Sequence, residues 1–348
     1  NLTGTMGVRQ GLLNVNLTAD TSYDLDQLSL RVLDPDGRIS LSGRGRETFV
    51  LSGAPALWTD NDLIQHQRTW TPSNQANAQQ DAVSILQANG KLSWTAGRLY
   101  GTPVGPGTVV AELRNGLLRA EPIQCTVGSG ELSVMPQWNL DSNLLQLASG
   151  SRLSNLALTP ELCREWLGYV APMLADSANV DGTISARVHQ FQYFIDSPAS
   201  STIQAVLTIH RGSATPGSSL QPLLQALSVV GKGDYANRQL EFPPQDVPVQ
   251  LVDGMVVHDG LEMSLAGYNV RSAGGVGLDR RVQLALDIPL EKAASAASGR
   301  SIRIPVGGTV DRPQLDTAGL LQNLGRQQIE GKVNDQINNG LKKLLNKF

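Results

Sequence analysis

Residues 282–288 read Val282-Gln283-Leu284-Ala285-Leu286-Asp287-Ile288, apolar at every even position. A period of two places one residue set on one face of an extended strand, so this stretch predicts a strand apolar on one side and wet on the other. The pattern recurs along the chain. Leu13, Val15 and Leu17 alternate with Asn14, Asn16 and Thr18, and Leu28, Leu30 and Val32 alternate with Gln27, Ser29 and Arg31. Ile203, Ala205, Leu207 and Ile209 alternate with Gln204, Thr208 and His210, Val206 interrupting the outer face, and Ile302, Ile304 and Val306 follow the same rule. One-sided alternation marks an antiparallel sheet with a single covered face. Asp34-Pro35-Asp36-Gly37, Asn89-Gly90, Asn115-Gly116 and Asp253-Gly254 punctuate the runs and predict hairpin turns, because primed turns need φ > 0.

Three segments change to a helical period. Thr159-Pro160-Glu161 predicts a helix start, with Thr as N-cap, Pro in the first turn and Glu at the positive end. Leu162, Trp166, Val170 and Leu174 then form one stripe of a helix over 160–175. Leu220, Leu223, Leu224, Leu227 and Val230 predict a second helix over 218–230. Leu320, Leu324, Val333, Ile337, Leu341 and Leu345 predict an amphipathic C-terminal helix over 316–346, with Lys342, Lys343 and Lys347 in its last turn. Residues 60–82, rich in Asn, Gln, Ser and Thr, read as a polar loop or short helix, and 291–300 as a flexible insert.

The chain has 348 residues, net charge −3 and 17% charged residues, with 35 Gly and 5% aromatics. Such low, balanced charge without interleaved basic and aromatic residues excludes a nucleic-acid binder. The length suffices for a sizeable core. No run of about 18 apolar residues is present, so no helix here spans a bilayer. The start Asn1-Leu2-Thr3, without an initiator Met, reads as a mature or trimmed fragment. Cys125 and Cys163 are too few for a disulfide scaffold. One bridge or two buried free thiols both fit, and free thiols are the simpler reading.

Glu112–Val134 aligns without gaps onto Gln250–Ser272 at a constant offset of 138. Leu113 meets Leu251, Asn115-Gly116 meets Asp253-Gly254, Pro122 meets Gly260, Ile123 meets Leu261, Cys125 meets Met263, and Val127 meets Leu265. Each copy reads strand, tight turn, strand, break, strand. The chain then divides into an N-terminal β region, 1–104, containing the polar stretch 60–82. A first β-meander repeat spans 105–215 with helix 160–175. A second spans 216–348 with helices 218–230 and 316–346.

Catalytic and metal-binding patterns are missing. His66, His189, His210 and His258 lie far apart, without ligand spacing. Gly43-Arg44-Gly45 lacks the third Gly of a dinucleotide fingerprint, and Ser129, between Gly128 and Gly130, lacks the outer pattern of a nucleophile elbow and reads as a turn. Asp181-Gly182 reads as a turn as well. No cofactor and no enzymatic activity are expected.

From 242 onward the order of elements resembles the C-terminal region of AsmA-like proteins of the bacterial envelope. The residues that carry it are Phe242-Pro243-Pro244-Gln245, Gly275-Val276-Gly277-Leu278-Asp279, the long strand 282–289, Ile304-Pro305-Val306-Gly307-Gly308-Thr309 with Pro313, and the terminal helix. The likeness covers 242–348 well, 105–290 weakly and 1–100 hardly at all. It implies a mostly β fold with few helices: a long curved antiparallel sheet forming a half-open, taco-like groove. It also implies a periplasmic or envelope location, membrane association, an inner-membrane anchor N-terminal to Asn1, and movement of phospholipid or another acyl-chain ligand, with other envelope proteins as partners. Few helices for so much one-sided sheet point the same way, because an apolar face must be covered by another layer or stay open. The expected lining is Val109, Ala111, Leu113, Leu118, Ile123, Cys125 and Val127 in the first copy. In the second it is Val249, Leu251, Val256, Leu261, Met263, Leu265, Leu284 and Leu286. Two other readings fit the same residues. One is a scaffolding protein assembling through sheet edges and the C-terminal helix; the other is an enzyme, such as a polysaccharide hydrolase, with a site built from distant residues.

Overall fold

The structure, a computed structural model, describes residues 2–9, 12–28, 39–53, 87–177, 179–231, 239–289 and 301–316. The predicted C-terminal helix, the 60–82 stretch, the 291–300 insert and the Asp34–Gly37 turn all lie outside these. The described chain is mostly antiparallel β with few helices, as the alternation predicts, and 23 strands form one hydrogen-bonded sheet. Two compact units emerge, each assembled from separate segments. The first comprises Asn1–Ala157, Ile184–Leu207 and Gln250–Gly254; the second comprises Leu158–Thr183, Thr208–Val249 and Met255–Phe348.

In the first unit the ladder runs through strands Leu2–Arg9, Leu12–Asp24, Arg44–Gly53, Gln87–Trp94, Gly107–Arg114, Leu117–Ala120, Pro136–Asn139, Leu144–Leu147 and the end of Val180–Phe194. A second series, Ile39–Ser42, Ala96–Leu99, Thr102–Val104, Ile123–Val127, Gly130–Val134 and Arg152–Ala157, pairs in that order. Tyr23, Leu25 and Trp94 form a buried cluster, packed by Leu41, Leu92, Val109, Ile123 and Cys125. Polar tips are satisfied inside it. The Tyr23 hydroxyl accepts from Ser93 N–H at 2.9 Å and donates to the Ser93 carbonyl at 3.1 Å, and Trp94 Nε1–H donates to the Gly105 carbonyl at 2.8 Å.

In the second unit Met255–Leu265, Tyr268–Gly277, Val282–Pro289, Ser301–Thr309 and Arg312–Leu315 form a meander in sequence order. Its inner face is mostly apolar by rows, for example Leu261–Ser272–Leu286–Ile304 across four strands, with Ser272 and His258 as buried polar residues. The helical segments around 160–175 and 218–231 belong to this unit. Leu162 N–H donates to Thr159 Oγ1 at 3.2 Å with Pro160 in the first turn, the predicted cap. The predicted helix over 160–175 is instead a short helix, Pro160–Glu165, followed by tight turns Leu167–Tyr169 and Pro172–Leu174. Leu162, Val170 and Leu174 are buried, whereas Trp166 is exposed. The second helix spans Gln221–Gly231 and buries Leu223, Leu224 and Leu227, each such side chain worth about 1.5–3 kcal/mol before ordering costs. Asp176 ties the two helical segments, accepting from Ser219 N–H at 2.8 Å, Ser219 Oγ at 3.0 Å and Ser218 Oγ at 3.1 Å.

Other turn expectations divide. Asn115-Gly116 and Asp253-Gly254 are primed turns with φ of 51° and 71°, and 50° and 72°. Asn89-Gly90 instead lies within a strand, Asn89 opposite Val50; Gly90 is needed because a Cβ there would run into the Phe49 ring across the ladder. Asp181-Gly182 also lies within a strand, where a Cβ on Gly182 would meet the Arg211 carbonyl. Leu28 ends a helical turn, Leu25–Leu28, rather than opening a strand; Asp26 N–H donates to Asp24 Oδ1 at 3.1 Å at its start.

Candidate functional site

The first unit carries an apolar row that crosses nine strands in register. Gly4 pairs with Leu17, Leu17 with Leu51, Leu51 with Ala88, Ala88 with Leu113, Leu113 with Leu118, Leu118 with Trp138, Trp138 with Leu145, and Leu145 with Tyr193. Directly opposite residues share a face, so all nine lie on one side of the sheet. Eight steps of about 4.8 Å make the row about 38 Å long. Leu2 and Met6 flank its first strand on the same face, Ala111 and Ala120 pair beside Leu113 and Leu118, and Pro136 and Leu147 pair beside Trp138 and Leu145. The Phe191 and Tyr193 rings, two residues apart on one strand, lie 6.4 Å apart at a 32° tilt.

The reverse face is polar along the same stretch apart from Val50, with Thr18, Asn89, Glu112, Arg119, Gln137 and Gln146 in the flanking positions. Gln137 Nε2 donates to Gln146 Oε1 at 2.9 Å there. The row is half-buried: Leu17, Leu51, Leu118, Trp138, Leu145 and Tyr193 are all partly exposed, and only Leu113 reaches 9%. Toward Leu92 and Val109 the face closes onto the Tyr23–Leu25–Trp94 cluster. Trp138 Nε1–H is shielded from water and has no acceptor among the described residues.

The expected first-copy lining therefore separates. Ala111, Leu113 and Leu118 lie on the row or beside it, Val109, Ile123 and Cys125 pack on the cluster, and Val127 is 1% exposed opposite Val104. In the second copy Leu251, Leu261, Met263, Leu265, Leu284 and Leu286 are all buried, while Val249 and Val256 are half-buried. Leu17, Leu51, Ala88, Trp138, Leu145 and Tyr193 were not expected. Their signal is weak, because Pro136–Asn139 and Leu144–Leu147 are four-residue strands whose partners are distant in sequence.

Among the described residues no three acidic, His or Cys side chains gather as a metal site, and no helix is long and apolar enough to cross a membrane. His189 and His210 are exposed, and His66 lies outside the described residues. His258 is buried on the inner face of the second unit, its Nε2 3.1 Å from Ser272 Oγ and its Nδ1 without a described partner. Burial holds its pKa down at about 4 against an opposing pull from Asp259, so the imidazole is neutral at pH 7. Ser129 is a turn residue whose Oγ accepts from Ala157 N–H at 3.0 Å and donates to the Asn155 carbonyl at 3.0 Å. Both cysteines are free thiols. The face offers apolar contact. Compared with known proteins, the chain matches no family model, no curated protein and no solved structure.

Proposed function

We propose that the half-buried apolar row from Gly4 to Tyr193 binds or guides acyl chains, as phospholipid or a related ligand, and does no chemistry on them. The observation that carries this reading is the row itself: nine strands, one face, apolar at every position and partly open to solvent. Contiguous apolar surface of this extent marks an interaction site. Each methylene covered contributes roughly 0.8 kcal/mol, so an acyl chain needs few polar contacts to be held. A periplasmic or envelope setting, with a half-open groove along this face, follows from the AsmA-like resemblance of residues 242–348 and belongs to the same proposal.

The test is titration with a fluorescent fatty-acid probe, alongside native mass spectrometry for co-purifying lipid. Leu118→Glu and Leu145→Glu place charge on the row; each is expected to weaken probe binding about tenfold or more, with an unchanged far-ultraviolet spectrum. Val252→Glu, at an exposed position off the row, is expected to bind as the parent does. Equal binding by all three variants, or no lipid and no probe binding by the parent, overturns the proposal.

A further inference from the structure

The apolar row differs at its two ends. Its first six positions, Gly4, Leu17, Leu51, Ala88, Leu113 and Leu118, carry no polar side-chain atom. The last three, Trp138, Leu145 and Tyr193, hold an indole N–H and a phenolic O–H on either side of one leucine. Trp138 and Tyr193 stand two strands apart, about 10 Å. The Trp138 Nε1–H is shielded from water and has no acceptor among the described residues. Buried donors in folded proteins are almost always paired, and one left unpaired costs free energy that an arriving acceptor recovers. Its setting is unusual. The other shielded polar atoms without a described partner, Thr102 Oγ1, Ser177 Oγ and His258 Nδ1, belong to residues at most 4% exposed. Trp138 is only half-buried and lies in register between Leu118 and Leu145, both partly exposed.

We propose that the row holds an ester-linked acyl chain in one direction: the ester carbonyl accepts from Trp138 Nε1–H, with the Tyr193 hydroxyl beside it, and the hydrocarbon runs from Leu118 toward Gly4. This rests on the acyl-chain reading above and adds to it the class of ligand and its orientation. The chemistry of the donor selects the oxygen. A carbonyl is a good neutral acceptor, so it satisfies the N–H without taking a charge out of water. A phosphate or ammonium group finds no charged side chain at any of the nine positions, so a charged head stays beyond the aromatic end, in solvent. An alkyl ether has no carbonyl to offer. Tryptophan and tyrosine suit such a place, where one end is apolar and the other wet. The six tail positions span five strand steps, about 24 Å, enough for one extended acyl chain of ordinary length.

The test compares two lipids that differ only at the linkage: a lysophosphatidylcholine with an ester-linked hexadecanoyl chain, and its ether-linked hexadecyl analogue, each titrated below its micelle concentration. The parent is expected to bind the ester about fivefold or more tightly, as one hydrogen bond to a buried donor implies. Trp138→Phe is expected to bring ester binding down to the ether level, to leave ether binding unchanged and to keep the far-ultraviolet spectrum. Bromine near the carbonyl is expected to quench the Trp138 share of the fluorescence, parent minus Trp138→Phe, more than bromine near the chain's methyl end. Equal affinity of the parent for the two lipids overturns this inference and leaves acyl binding by the row standing. So does a preference that survives Trp138→Phe, or quenching that is equal or stronger from the methyl end. Binding of neither lipid overturns both.

Discussion

Residues 117–139 and 255–277 are the same ribbon built twice, and they differ in what covers them. Leu117 opposes Asn139 as Met255 opposes Gly277, and Leu118 opposes Trp138 as Val256 opposes Val276. Beyond a one-residue slip, Ile123 opposes Val134 as Leu261 opposes Ser272, and Val127 opposes Gly130 as Leu265 opposes Tyr268. Every register is conserved at an offset of 138, including the slip. At the slip the copies diverge. Pro122 stands where Gly260 stands, and proline has no N–H for the ladder, so the first copy splits into Leu117–Ala120 and Ile123–Val127. Gly260 takes φ of +85°, a bulge, and the strand Met255–Leu265 continues unbroken. The second ribbon shares its unit with the helical segments around 160–175 and 221–231, and Tyr268–Gly277 is packed by the Leu167–Tyr169 turn. Leu261, Met263 and Leu265 are at most 3% exposed. In the first ribbon Ile123 and Cys125 are only half-buried. The lesson is that the strand pattern sets the ladder, while the elements packed against it decide whether an apolar face becomes core or surface.

The largest expected effect tests that lesson directly. Leu261→Ala should cost about 2–5 kcal/mol, transfer plus cavity, and its counterpart Ile123→Ala less than half as much, read from urea midpoints. Equal losses would break the comparison.

Next comes pH, which reaches the second copy through His258. The folded pKa of His258 lies below its unfolded value of 6.5, at about 4. The unfolded chain therefore binds the proton first, and stability is full above pH 6.5. It falls as pH drops through that window, by roughly 3 kcal/mol once pH 4 is passed. Comparing urea midpoints from pH 7 to pH 4 for the parent and for His258→Leu checks this: the parent should lose more, and parallel curves would remove the imidazole as the cause.

Smaller effects sharpen the likeness. Gly116→Ala and Gly254→Ala sit at matching turn positions, with φ of 71° and 72°. Each should cost about 1–2 kcal/mol through the positive φ, and any difference between them reports the neighbour a Cβ would crowd, Asp141 at Gly116 and Ala199 at Gly254. Smallest of all, Trp138→Phe removes a donor that has no described acceptor while shrinking the indole to a phenyl ring; the two effects oppose, so stability should change by less than about 1 kcal/mol in thermal melts.

How much of this was legible depends on how local the cause is. The alternation at 282–288 and 302–306 emerged as strands because each residue's face is fixed by its own chain. Thr159-Pro160 emerged as a cap for the same reason. Asn89-Gly90 did not become a turn because its glycine answers a residue 41 positions away, Phe49. The row through Leu118, Trp138 and Tyr193 was beyond reach in the same way. Each strand supplies one residue, and only the pairing of distant segments aligns them. The expected lining named Leu113 and Leu118 from alternation, yet alternation alone could not tell that Leu261 and Leu286, with equally good patterns, would be covered.

The two free thiols turn this contrast into something a reagent can time. Cys163, fully enclosed at 0% exposure, has its acidity suppressed to about 12 by burial and by neighbouring Glu161; Cys125, half-buried in the other unit, is raised less. A thiolate must form before an alkylating agent can react, so the native chain should modify at Cys125 long before Cys163. The late reaction would then measure how often the helical cap lifts away, giving each unit a built-in clock.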